Sequence, residues 1–338
     1  MVENPAYIKN GEVVFHFTSA SHTTTATYNV GTTKTYAEVS NVQLNASTTY
    51  KVYASCTATN GTAVESTKYE LTVAAKPANA PSESWLELPG EDKGVLYPNA
   101  VELKVSASGE RNYTTYYDKS TYTSMWTAYP LQSKHMGSLS RPSKWSYNTE
   151  IGEEYQVDLR DNSYTDTDTY SRGHLIPNAS RNGIEEMQKQ TFYVTNSVPQ
   201  VQNNFNSGIW SSLEAALQSA ASKKTIYIVT GVAFSKVGET KTINYTTAKD
   251  DTKQVPIPNY FYKVVLKVTT NSSGTVTSAS TVGFWFENKA YSNSTYTNCA
   301  VSVDLVEQWT GFDFFANLPD SVEATAEKNT SWSTFSNF

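Results

Sequence analysis

The stretch from Asp166 to Glu214 reads DTDTYSRGHLIPNASRNGIEEMQKQTFYVTNSVPQVQNNFNSGIWSSLE. His174 follows Arg172 by two residues, so on an extended strand both side chains point to one face. That face would carry an imidazole that is neutral near pH 7 and a cation that never loses its charge. Such a pair suits proton abstraction beside a bound anion. Asn206, Trp210 and Glu214 recur every four residues, so on a helix the carboxamide and the carboxylate lie near one another along a flank.

The elements that must position these groups follow from local pattern. SRGH lies on a first short strand, and Thr191 to Asn196 (TFYVTN) has the β-branched and aromatic character of a second. Pro199 and the amide-rich run after it predict a loop. From Gly208 the pattern GIWSSLEAALQSA places Ile209, Leu213, Ala216, Leu217 and Ala220 on one helical stripe, with Asn206 or Ser207 as the N-cap and Trp210 in the core. The expected order is strand, strand, helix.

SRGH, TNSVPQ and FNSGIWSSLE, in that order, resemble the signature of the DNA/RNA non-specific endonucleases, the ββα-metal or His-Me finger nucleases. MWTAYPL (125–131), RPSKW (141–145), IYIVTGVAF (226–234), VPIPNYFYKVVL (255–266), GFWFEN (283–288) and GFDFFANLP (311–319) are similar to the family too. The resemblance implies an enzyme that hydrolyses phosphodiester bonds of DNA and RNA. Taken position by position, it implies His174 as general base and Asn206 as the only protein ligand of a Mg²⁺ that otherwise holds water, with Mn²⁺ as a substitute. Arg172 resembles the phosphate-binding arginine, Asn196 an active-site amide, and Glu214 the carboxylate that hydrogen-bonds water around the metal. Arg141, in the looser match RPSKW, is a further catalytic candidate or lies out of register. The family opens its motif with Asp where this chain has Ser171, which keeps a short hydrogen-bonding side chain without charge. Asp166 and Asp168 are the carboxylates placed to compensate.

The chemistry fits these residue types. A phosphodiester monoanion repels hydroxide, so its hydrolysis needs a positioned nucleophile, neutralised charge and help for the leaving oxygen. Neutral His174 can accept a proton from water. A hard cation prefers oxygen ligands and gives up its waters reluctantly, so one oxygen from Asn206, several waters and the phosphate complete its octahedron. Arg172, with Arg141 or Arg181, suits forked hydrogen bonds to non-bridging oxygens. No base of the nucleic acid needs reading, so cleavage is expected to be independent of sequence. His16, His22 and His135 lack such neighbours and read as structural hydrogen-bonding residues.

The 338 residues suffice for two domains, each with its own core. Residues 1–75 alternate short hydrophobic runs with polar turns (EVVFHF, TTATYNV, KTYAEV, TTYKVYASCTA, STKYELTVAA), the pattern of an immunoglobulin-like or fibronectin-III-like β-sandwich. Such a domain serves as a spacer or carrier, or binds a surface ligand. Residues 76–84, KPANAPSES, read as a stiff linker, and residues 85–338 as the nuclease domain. In that domain buried strands are expected at IYIVTG, YFYKVVLKVTT and STVGFWFEN, with KVGETKTINYTTAKDDTKQ as a polar surface excursion between them. SVDLVE predicts a helix start with Asp304 and Glu307 as a capping box. The fold class is α+β: an N-terminal all-β sandwich, then a mixed α+β domain containing a ββα-metal finger.

No run of about eighteen apolar residues exists, so no membrane span is expected. The opening MVENPAYIKNGEVVFHF lacks the charged and apolar regions of a signal peptide. Either the chain is cytoplasmic or a leader has been removed ahead of Met1. The charge-poor Thr, Ser, Tyr and Asn tracts point to a secreted, periplasmic or surface protein of a bacterium. The net charge of −6 opposes a polyanionic partner overall. Lys134, Arg141, Lys144, Arg172, Arg181, Lys223 and Lys224 nevertheless cluster in sequence around the proposed site, while Glu153, Glu154, Asp320, Glu323 and Glu327 lie elsewhere. Weak, salt-sensitive binding of DNA and RNA is the expectation. Cys56 and Cys299 fall in different domains without a metal-ligand pattern and read as free thiols. The rival from another class is a surface binding or adhesion protein whose nuclease fold has lost activity. A specialised phosphodiesterase or toxin with an immunity partner is a third reading.

Overall fold

The computed structural model describes residues 8–20, 22–29, 42, 44, 48–72, 85–90, 96–107, 109–166 and 169–338. It divides into two compact units, 1–79 and 80–338.

In the first unit the strands are β1 (Ile8–Thr18), β2 (Thr23–Asn29), β3 (Thr49–Ala58), β4 (Ala63–Glu65) and β5 (Tyr69–Thr72). All pairings are antiparallel: β1 lies between β2 and β3, and β4 and β5 share the other edge of β3. Val13, Phe17, Tyr50 and Ala54 supply the buried side. His16 bonds Ser55 Oγ at 2.7 Å and His22 bonds Tyr50 at 2.9 Å, the structural roles expected of them. Among the described residues this unit is one sheet. The strand expected at KTYAEV and the linker expected at 76–84 lie outside the described residues.

The second unit opens with β6 (Ala100–Ala107), β7 (Glu110–Asp118) and β8 (Thr123–Leu131). Next come β9 (Tyr170–His174), helix α1 (Glu185–Gln190), β10 (Ser197–Val201) and helix α2 (Ser211–Ala221). Strands β11 (Ile226–Ala233), β12 (Tyr245–Thr246), β13 (Val255–Pro256), β14 (Tyr260–Thr270), β15 (Val276–Glu287) and β16 (Ala300–Val301) follow. Helices α3 (Val303–Thr310), α4 (Asp320–Ala326) and α5 (Trp332–Asn337) close the chain. Seven of the strands form one antiparallel sheet in the order β16-β15-β14-β11-β8-β7-β6.

Strands β8 and β11 are buried along their whole length because both faces of the sheet are covered, which is why MWTAYPL and IYIVTGVA do not alternate. Alternation survives in side-chain direction. On β14, Phe261 packs on Phe205 and Trp210 beside α2, while Tyr262 stacks on Trp285 and meets Phe314 on the other face. Leu213 and Leu217 of α2 join the same core as Trp210, the stripe the periodicity predicts.

Several local expectations are corrected. Thr191 to Asn196 is not a strand: it ends in a 3₁₀ turn at Val194–Asn196, and the strand begins at Ser197 and runs through Pro199. A two-stranded ribbon consists only of edges, so a residue that cannot donate a ladder hydrogen bond is tolerated there. Asn206 and Ser207 do not cap α2, which continues from an irregular helical turn at Gln202–Trp210 with Asn204 at φ 60°. Phe205 and Trp210 must both reach Phe261 and Phe286, and that shared burial holds the turn. The cap of α3 is Ser302, whose Oγ accepts from Leu305 N at 3.1 Å, rather than a box made by Asp304 and Glu307. Residues 236–254 lie largely at the surface, as expected, but are tied down at one end. Ala248 and Val255 bury with Trp145, Val157, Leu159, Tyr164, Phe192 and Val194 in a second small core, and Asp251 accepts from Asp158 N at 2.9 Å.

Cys56 and Cys299 are free. Among the described residues no helix is long and apolar enough to cross a membrane.

Two outcomes are expected. Phe205→Ala removes a fully buried ring shared by Trp210, Phe261, Phe286 and Tyr291, and urea denaturation should show a loss of about 3–5 kcal/mol. His135 is buried, its Nδ1 accepts from Gln132 N, and burial followed by Arg181 and Lys134 pushes it down to about 3. Its folded pKa lies below the unfolded one, so only the unfolded chain takes up this proton as pH falls from about 6.5 toward 3, and stability drops across that window. Urea melts from pH 7 to 4 should therefore show a shallower decline for His135→Gln than for the parent chain.

Candidate active site

Strands β9 and β10 form a ribbon of their own, with His174 opposite Ser197, Gly173 opposite Val198 and Ser171 opposite Gln200. Gln200 lies so close over Gly173 that an added Cβ would stand 2.5 Å from Gln200 Cβ, so only glycine fits between the arginine and the histidine. Immediately after His174, Asn196 clamps the chain. Its Oδ1 accepts from Ile176 N at 3.0 Å, and its Nδ2 donates to Ile176 O and Thr191 O at 2.9 and 2.8 Å.

The ribbon and the helical turn enclose a cleft of about 570 Å³. His174, Arg172, Arg141, Asn206, Glu214 and Ser171 all contribute to its wall. The His174 ring packs between Trp145 and Phe192, with centroids 4.6 and 4.9 Å away. Its Nε2 is buried without a hydrogen-bond partner, and the ring also bonds the main chain of Arg172. Although the residue as a whole keeps partial exposure, burial of the ring, then Arg141, pushes its pKa down to about 3, so the imidazole is neutral at neutral pH.

The arginines divide. Arg172 reaches Leu159 O from Nη1 at 2.6 Å and lies over the Trp145 ring, and Arg141 lies over the Phe192 ring at 4.9 Å. Arg181 is withdrawn from any phosphate-holding role. It is wholly buried, donating from Nε to Asn112 Oδ1, from Nη1 to Ser180 O, and from Nη2 to Asn112 O and Pro130 O. Lys134 and Lys144 pair with Glu110 and Asp161 and take no part in the cleft wall.

Asn206 is held by its amide nitrogen. Nδ2 donates to Ser171 Oγ and to Gln202 Oε1, both at 3.0 Å, and Oδ1 accepts no hydrogen bond from the described residues. Ser171 Oγ in turn donates to Gln200 O at 3.2 Å. On the next turns of helix, Glu214 stands over Lys263, whose Nζ lies 3.8 Å from its carboxylate, donates to Thr230 Oγ1 at 2.7 Å and sits over the Trp210 ring.

A neutral imidazole, an arginine pair, an uncommitted amide oxygen and a carboxylate on one wall suit hydrolysis of a phosphate ester. The family model of the DNA/RNA non-specific endonucleases matches residues 95–321. The chain belongs to that family. It is therefore an endonuclease and a hydrolase, from a family whose members depend on a metal. Its relatives include a nuclease of Nostoc sp., 26% identical over 64% of this chain and 76% of that protein. The nuclease of Serratia marcescens is 25% identical over 63% and 76%, and the mitochondrial nuclease of Saccharomyces cerevisiae 25% over 61% and 64%. In fold the chain is similar to a solved EndoG/EndoGI complex, with a TM-score of 0.52, 21% identity, and coverage of 68% of this chain and 93% of that one.

For this endonuclease the geometry sorts the expected residues. His174, Arg172, Arg141, Asn206 and Glu214 come together, whereas Asn196 does not reach the cleft: it is fully buried with its amide spent on the backbone. Asp166 is exposed and absent from the cleft wall, so it does not replace the family carboxylate, and Asp168 lies outside the described residues. Ser171 instead anchors Asn206. Sequence reading missed Lys263, hidden in the apolar run YFYKVVL; a lysine interrupting that run was the available signal.

Burial raises the Glu214 carboxyl, opposed first by Lys263, and burial lowers Lys263, opposed by Glu214. Each makes the other's charge tolerable. Lys263→Met should therefore cost about 3–5 kcal/mol in chemical denaturation, and combining it with Glu214→Gln should recover most of that loss.

Proposed function

We propose that residues 85–338 hydrolyse phosphodiester bonds of DNA and RNA without regard to sequence or sugar, using Mg²⁺, with Mn²⁺ as a substitute. The observation that supports this is the convergence of His174, Arg172, Asn206 and Glu214 on one cleft. We read β9, β10 and the helix after them as a ββα-metal finger, and residues 1–75, joined by the linker 76–84, as an immunoglobulin- or fibronectin-III-like carrier domain.

The residues suit a hard cation. With both amide hydrogens of Asn206 committed, its oxygen is free to serve as the one protein ligand of an ion that keeps its waters. When bound, Mg²⁺ supplies neutralising charge to the phosphate and the leaving 3′-oxygen. The His174 imidazole accepts the proton of the attacking water, and Trp145 and Phe192 fix the ring's direction. Arg172 and Arg141 hold non-bridging oxygens. Glu214, beside Lys263, is placed to hydrogen-bond water around the ion. Asn196 acts by positioning: its clamp on Ile176 sets the chain direction just beyond His174. The composition supports action outside the cell that makes the protein.

Plasmid DNA and ribosomal RNA should both be cut at neutral pH with Mg²⁺ or Mn²⁺, and EDTA should stop it. His174→Ala should lower kcat by about 10²–10⁴-fold. Survival of both substrates under these conditions would favour a binding protein that has lost catalysis. Because the base must be neutral and its pKa is pushed down to about 3, kcat/KM should stay level from pH 8 to below pH 6, without an acid limb near the ordinary histidine value.

A further inference from the structure

The carboxylates of Asp304, Glu307 and Glu327 each present an oxygen, and these oxygens all lie within 4.8 Å of one another. Asp304 and Glu307 are one turn apart on α3. Glu327 follows the last residue of α4, and its main-chain oxygen accepts from Val303 N at 2.9 Å and from Asp304 N at 3.4 Å, which fixes it against the first turn of α3. None of the three belongs to the cleft wall.

Glu327 is the telling member. It is only 5% exposed, and its Oε1 is buried without any hydrogen-bond partner. A carboxylate oxygen stripped of water needs a donor or a cation to offset the loss of hydration. What surrounds it is more negative charge. Burial first, then Glu307, Glu323, Asp304 and Asp313, push the Glu327 carboxyl far above the ordinary range, and burial does the same to Glu307. Glu307 already takes one hydrogen bond, from Phe314 N at 2.7 Å, and Asp304 is exposed, so the cluster has an open side through which an ion and its waters can enter.

We propose that Asp304, Glu307 and Glu327 form a Ca²⁺ site, separate from the cleft, that pins α4 to α3. The donor set selects the ion. Three carboxylates with no nitrogen or sulfur are not the Cys and His set from which structural zinc sites are built. Mg²⁺ demands a near-ideal octahedron and keeps most of its waters, whereas Ca²⁺ takes six to eight oxygens in flexible geometry and accepts several carboxylates at once. One ion would satisfy the orphaned Glu327 oxygen and relieve the mutual repulsion of the cluster. Both helices pack on β15, so the site would tie the carboxy-terminal segment to the sheet.

The test uses the full chain carrying Asn206→Ala, so that the cleft does not contribute, stripped with EDTA and titrated with CaCl₂ by calorimetry and thermal melting. Uptake of one Ca²⁺ per chain is expected, with Tm rising by about 5 °C at a hundredfold excess over Kd. Glu327→Gln in the same background should abolish both effects, yet melt in EDTA no lower than its parent because a neutral amide replaces a carboxyl crowded by like groups. Asp304→Asn, at the exposed corner, should keep the fold and weaken Ca²⁺ about tenfold. Absence of Ca²⁺ uptake by the Asn206→Ala chain, or uptake undiminished by both Glu327→Gln and Asp304→Asn, overturns the proposal and leaves Glu327 as a protonated buried acid.

Discussion

The hydrogen bond from Asn206 Nδ2 to Ser171 Oγ joins the two halves of the cleft, tying a helical turn to a two-stranded ribbon. Everything chemical in this endonuclease depends on the distance between those halves. Neither half is held by regular hydrogen-bond ladders of the large sheet, since β9 and β10 pair only with each other. What seats them is apolar burial. Phe205 and Trp210 anchor the turn in the main core, and Trp145 and Phe192 anchor the ribbon's histidine in the smaller one. The polar link then selects one arrangement among those that packing permits, and it orients the Asn206 amide with its oxygen unclaimed.

The serine at position 171 takes on meaning in this setting. A carboxylate there would accept the same hydrogen bond and bring charge close to Asn206; the hydroxyl accepts from Asn206 and also donates to Gln200 O. Ser171 thus works as a relay within the protein. The loss of a charge at this position does not leave the amide unsupported.

Charge is distributed with the same economy. An acidic chain presents two arginines to its cleft, both lying over aromatic rings. Such rings hold a guanidinium in place without neutralising it. Arg181 and Lys263, by contrast, are buried cations that serve the frame: one stitches β7 and β8 to the loop after β9, the other sustains Glu214. Lys134 and Lys144, near the cleft in sequence, are spent in surface pairs, which contribute little to holding a polyanion.

The amino-acid sequence by itself determined the family, the long strands of the sheet, the apolar stripe of α2 and the identity of His174, Arg172, Asn206 and Glu214 as the groups of interest. These are legible because they rest on residue type and short-range spacing, such as the period of Leu213 and Leu217 or the two-residue step from Arg172 to His174. Tertiary structure decided the rest. Asn196 and Arg181 look like cleft residues in one dimension, yet whether an amide or a guanidinium faces solvent depends on which backbone carbonyls the fold brings to it. The strand after Asn196 was hidden because Pro199 reads as a breaker unless the ribbon is known to have free edges. The role of Lys263 was not legible because its partner lies on a helix forty-nine residues earlier. A buried charge is tolerable only where folding supplies the opposite one, and that pairing is a property of three-dimensional proximity, which local sequence does not encode.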